Sequence, residues 1–79
     1  MSNNTPPAES VDARGELCPM PLLLAKRALS ALPSGAVLEV LSTDAGSERD
    51  FESFARLAGH VVKCEQLPDD VLRLIITKA

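Results

Sequence analysis

Cys18 stands in the run Cys18-Pro19-Met20-Pro21, and its type and setting offer the most direct chemistry in the chain. Two prolines at alternate positions fit the first turn of a helix, where a backbone N–H has no helical partner to lose. A thiol just ahead of them lies near free N–H groups and the positive end of the helix. That setting lowers a thiol's pKa and makes its sulfur nucleophilic at neutral pH. The prolines also restrict the backbone, so the sulfur is expected to point in a fixed direction. A free cysteine is often simply a small buried residue, but the helix start and the proline pair favour the chemical reading. Cys64 alternates with Val62 in an apolar segment and reads as a packing or edge residue. The two cysteines form no Cys-x-x-Cys pair and His60 is the single histidine, so neither a redox dithiol nor a zinc site is supported. No metal and no cofactor is expected.

Other polar positions have plainer readings. Asp44 follows an apolar run and suits a turn or a cap. Arg14 precedes Gly15 and by default is an exposed arginine. Lys26 lies about two turns beyond Cys18 and, at about 1.5 Å of rise per residue, is too distant to be taken as a contact. His60 on its own is weak evidence for acid–base work.

The elements that must position these residues follow from periodicity and punctuation. Residues 1–8 are polar and contain prolines, and read as a disordered tail ahead of one domain over residues 9–79. Residues 10–13 suit a short edge strand ended by Gly15. Leu22, Ala25, Leu29 and Leu32 repeat at helical spacing after the prolines, and Pro33-Ser34-Gly35 stops that helix. Residues 36–41 are nearly all apolar, as in a central strand covered on at least one face. After the turn Thr43-Asp44-Ala45-Gly46, Ser47 with Asp50 reads as a capping box opening a second helix. Phe51, Phe54, Ala55 and Ala58 stripe that helix, and Gly59 ends it in a left-handed conformation. Residues 60–65 and 71–77 form a hairpin through Leu67-Pro68-Asp69-Asp70. The order β-α-β-α-β-β predicts an α+β two-layer sandwich, with a mixed four-stranded sheet and both helices on one face.

Composition narrows the partners. A net charge of −3, with eight basic residues scattered among eleven acidic ones, argues against nucleic acid as a direct partner. Two phenylalanines, with no tyrosine or tryptophan, leave little with which to stack bases. No stretch approaches the roughly 20 apolar residues of a membrane span, and the N-terminus lacks the pattern of a secretory signal. The expectation is a cytoplasmic protein, where two cysteines do not form a permanent staple.

Asp12-Ala13-Arg14-Gly15-Glu16-Leu17-Cys18-Pro19-Met20-Pro21 resembles the signature of the TusA (SirA-like) family of sulfur-relay proteins. The likeness continues through Lys26, Ala28 and Leu29, Gly35, Leu38-Glu39-Val40, Thr43-Asp44, Arg49-Asp50-Phe51, Gly59-His60 and Ile76-Thr77-Lys78. It covers about residues 10–78. The resemblance implies the same β-α-β-α-β-β fold. It also implies that Cys18 carries sulfane sulfur as a persulfide, taken from a cysteine desulfurase or another donor protein and passed to a downstream acceptor. Transfer RNA thiolation, molybdenum cofactor assembly and sulfur oxidation are the kinds of relay it suggests. In that reading Pro19 and Pro21 present the thiol, the Asp44 loop lies beside it, Lys26 adds to a basic rim, and Arg14 helps to hold the anionic persulfide or a partner's carboxylate. A lone thiol suits such transfer, because a nearby resolving cysteine would divert the persulfide into a disulfide. Two positions depart from the family pattern: Ala45 replaces a usual proline, and Leu24 a frequent basic residue. The alternatives are a binding or redox-regulatory module that keeps the fold without using the thiol, and a thiol enzyme, for which no residue is placed to activate Cys18.

Overall fold

In the computed structural model, which describes residues 7–79, the chain runs β1 (Glu9–Ala13), α1 (Met20–Ser30), β2 (Val37–Ser42), α2 (Ser47–Ala58), β3 (Val61–Leu67) and β4 (Val71–Thr77). The strands lie in the order β1-β2-β4-β3. β1 pairs with β2 in parallel and the other two pairings are antiparallel, so the sheet is mixed, as expected. A helical crossover returns β2 beside β1, while the tight 68–70 loop reverses β3 into β4.

Strand alternation explains the two layers. Leu38 and Val40 of β2 are fully buried, opposite Ile76 and Leu74 of β4. They pack with Ala13, with Ala25 and Leu29 of α1 and with Phe51 of α2. Both helices thus cover one face of the sheet. The run at 36–41 conceals this alternation because Val37 and Leu41 are themselves apolar, yet they are half-buried on the opposite face beside Glu39. There Arg73 bridges Glu39 and Glu65, and Ser10 donates to Glu39.

The ends of the elements differ from expectation where a tertiary contact outweighs a local signal. Residues 1–6 of the expected tail lie outside the described residues, and the Ala8 amide already donates to the Val37 carbonyl. β2 extends to Ser42, whose hydroxyl is buried and pairs at 2.6 Å with that of Ser47. That pairing removes Ser47 from the expected capping box: α2 is capped by Gly46 with no side-chain hydrogen bond. Asp50 is turned to a different task, described below. Gly59 ends α2 with φ +82°, in the left-handed region that glycine enters without a Cβ clash. His60 lies just before β3: its amide donates to the Ala55 carbonyl and its Nδ1 accepts from the Ala79 amide. Lys78 reaches back to donate to the Leu29 and Leu32 carbonyls, satisfying the open C-terminal end of α1.

Candidate functional site

Because β1 and β2 run parallel and each feeds a helix, the N-terminal ends of α1 and α2 lie at one end of the sheet. Cys18 precedes α1 and is exposed. Its S–H donates to Asp50 Oδ2 at 2.9 Å, across 32 positions of sequence. The thiol borders an open groove whose other walls are Gly46 and the Glu48, Arg49, Asp50 and Glu52 side of α2. The loops that carry the site are tied together. Gly15, in a turn with φ +84°, donates its amide to Thr43 Oγ1 at 2.9 Å. Asp44 shapes the next turn, accepting from the Gly46 amide at 3.0 Å while its own amide donates to Ser42 Oγ.

The expected lowering of the Cys18 pKa does not occur; the thiol is pushed up. The Asp50 hydrogen bond is the largest cause, followed by desolvation and by the charges of Asp50 and Asp44. The backbone explains why the helix start fails to offset them. Pro19 occupies the cap and not the first turn, and Pro21 is buried in that turn. The Met20 amide is spent on the Leu17 carbonyl and that of Leu23 on the Pro19 carbonyl, while Pro21 has no N–H to give. Pro19 and Pro21 themselves offer no N–H, so the prolines that mark the motif take two donors from the helix start that a thiolate could use.

The remaining expected site residues divide. Asp44 is at the site, both as a turn residue and through its charge. Arg14 is committed to Asp12, which it grips through Nε and Nη2 at 2.8 Å each, and these bonds hold the Asp12 carboxyl down to about 2. Lys26 extends toward α2, its Nζ 5.7 Å from the centre of the Phe54 ring, and adds nothing to a rim around the sulfur. Asp50, which the sequence marks as a capping partner, and Arg49, which it marks only through the family likeness, both line the groove. The signal for Asp50 is the Ser42–Ser47 pair, since a serine used in the core cannot also cap.

Around the thiol, Leu17, Met20 and Leu23 recur every third residue and are exposed, Leu17 by 74%. Such a row of apolar side chains beside an exposed thiol can seat a partner surface. Cys64 lies under α2 on β3, partly buried. Its sulfur and the Glu48 and Glu52 carboxylates lie within 4.8 Å of one another, the one grouping of three potential metal donors among the described residues. Both cysteines are free thiols.

Comparison with known proteins places this arrangement. The family described as Sulfurtransferase TusA matches residues 9–78. A candidate sulfur carrier protein of Neisseria meningitidis serogroup A is 44% identical over 69 residues, covering 87% of this chain and 93% of its own. The sulfur carrier protein TusA of Allochromatium vinosum is 48% identical over 52 residues, covering 66% and 68% respectively. The crystal structure of a SirA-like protein from Desulfitobacterium hafniense superposes with a TM-score of 0.81 at 28% identity, covering 87% of this chain and 95% of that one. Both the fold and the sequence over nearly all of its length agree: the chain belongs to the TusA family of sulfur carrier proteins.

Proposed function

We propose that Cys18 carries sulfane sulfur as a persulfide, received from a donor protein such as a cysteine desulfurase and passed to an acceptor thiol of a downstream protein. The observation that carries this reading is the exposed Cys18 sulfur at the rim of an open groove, flanked by the exposed apolar row Leu17, Met20 and Leu23. A carrier must present one sulfur to two different proteins in turn, which an enclosed pocket would prevent. The apolar row supplies a seat for each partner, and the acidic groove beside it favours partners with a basic surface. The reading places the protein in the cytoplasm, where such thiols stay reduced, within a relay such as transfer RNA thiolation, molybdenum cofactor assembly or sulfur oxidation. Among the described residues no helix is long and apolar enough to cross a membrane.

Incubation with a cysteine desulfurase and cysteine, followed by intact-mass spectrometry, tests the proposal. A gain of about 32 Da per transferred sulfur, removed by a thiol reductant and located on Cys18, is expected. No adduct on Cys18 with any persulfide donor would overturn it.

A further inference from the structure

We propose that Asp50 is a latch on the transfer sulfur: its carboxylate holds the unloaded Cys18 as a protonated thiol and repels the sulfur once it is loaded and anionic. The inference rests on the persulfide reading of Cys18. Its geometric basis is the 2.9 Å contact from Sγ to Asp50 Oδ2. Asp50 is free to make that contact because it does not cap α2: the cap is Gly46, and Ser47 is held in the core by Ser42. The charges that act on Cys18 are those of Asp50 of α2 and Asp44 of the preceding loop; Arg49 lines the same groove, whereas the Glu48 and Glu52 carboxylates gather within 4.8 Å of the Cys64 sulfur. The first charged residue of α1 is Lys26, and its ammonium lies over Phe54. Two carboxylates thus act on the sulfur, with one guanidinium on the same groove. Asp50 hydrogen bonding and charge, with that of Asp44, also push the thiol pKa up.

Loading then proceeds as follows. The Cys18 S–H proton passes to Asp50 as Sγ attacks the outer sulfur of a protein persulfide donor. The new Sγ–S bond forms, the donor's S–S bond breaks, and its electron pair leaves on the donor cysteine as thiolate. Asp50 returns the proton to that thiolate. The sulfur arrives as S–SH and stays at the same oxidation level, so no outside oxidant or reductant is required. A persulfide S–H is more acidic than a thiol and releases its proton to water. The loaded sulfur then has no proton to donate to Asp50 and meets like charge from Asp50 and Asp44, which turns it outward toward the acceptor. In discharge the acceptor thiol bonds to the outer sulfur, the Cys18 Sγ–S bond breaks with its electron pair on Sγ, and the acceptor's thiol proton passes to Sγ, which restores the thiol and closes the latch.

The test compares the full chain with its Asp50→Asn variant, following iodoacetamide labelling of Cys18 against pH by peptide mass spectrometry. The midpoint is expected to fall by a pH unit or more in the variant, giving about tenfold more thiolate at neutral pH. At a fixed ratio of glutathione persulfide to glutathione, the loaded fraction of Cys18 should rise about threefold or more in the variant. An unchanged midpoint or an unchanged loaded fraction overturns the latch. On the unaltered chain, the Asp50 side-chain carbonyl 13C resonance should show a titration step at the pH where Cys18 ionises, and its absence also overturns the latch. If the unaltered chain takes up no sulfur, the persulfide reading falls and the latch with it. If it loads normally while Asp50→Asn behaves identically, the latch alone falls.

Discussion

Cys18 and Cys64 are the same side chain in two settings, and both thiols are pushed above the ordinary value, for different reasons. At Cys18 the leading cause is a hydrogen bond to one carboxylate, Asp50. At Cys64 it is burial beneath α2, followed by the charges of Glu48 and Glu52. The first cause can be reversed by moving one side chain or docking one cation. The second can be reversed only by opening the structure. A thiol meant for exchange is thus better restrained by a single polar contact than by packing, because the restraint can be lifted without unfolding.

The sharpest way to break this comparison is to exchange the two roles by mutation. Cys18→Ser should abolish sulfur uptake while leaving the denaturation midpoint at neutral pH unchanged, since a serine hydroxyl can donate to Asp50 in place of the thiol. Cys64→Ser should keep uptake and lose about 1 kcal/mol of stability, because it places a hydroxyl in a partly apolar site. Uptake that follows Cys64 would reverse the assignment. Next in size, Leu74 lies opposite Cys64 on β4 and is fully buried. Leu74→Ala should lower stability by about 2–5 kcal/mol in urea titration, and should speed labelling of Cys64 far more than that of Cys18.

Ser47→Ala should cost about 1–3 kcal/mol, since it leaves the buried Ser42 hydroxyl short of its partner. The same change loosens the α2 start that aims Asp50, so Cys18 labelling should quicken while that of Cys64 holds. The smallest effect is on pH. Both thiols have folded pKa values raised above the reference of 9.0. Each therefore contributes stability that is fully present below that value and is lost as pH rises through its folded pKa. Denaturation midpoints should fall on the alkaline side of pH 9, and Asp50→Asn should remove the Cys18 share alone. The chain has no tyrosine to blur that limb.

Much of the fold is legible because its signals are local. The Pro19 and Pro21 pair, the Leu22–Ala25–Leu29 spacing, the left-handed Gly59 and the 71–77 strand each need only their neighbours in sequence. Cys18 is legible for the same reason. Its environment is not, because it is made by residues distant in sequence. Asp50 reaches the thiol only because two parallel strands bring two helix starts together, and its local pattern with Ser47 points instead to a cap. Ser47 abandons the cap because a buried hydroxyl at Ser42 requires a partner. Arg14 gives no sequence signal that it will grip Asp12, two residues before it, instead of a sulfur four residues ahead. The prolines are the most instructive case: read as marks of a helix start they imply an activated thiolate, yet at positions 19 and 21 they themselves have no N–H to offer one.

The Lys78 clamp on the Leu29 and Leu32 carbonyls has a practical corollary. It fastens the last strand to the end of α1 remote from Cys18, roughly 15 Å away along the helix by its rise per residue. A dye, bead or fusion joined after Ala79 would therefore be anchored at the opposite pole from the sulfur. Immobilised in that way, the molecule would face solution thiol-first, an orientation suited to capturing whichever proteins exchange sulfur with it.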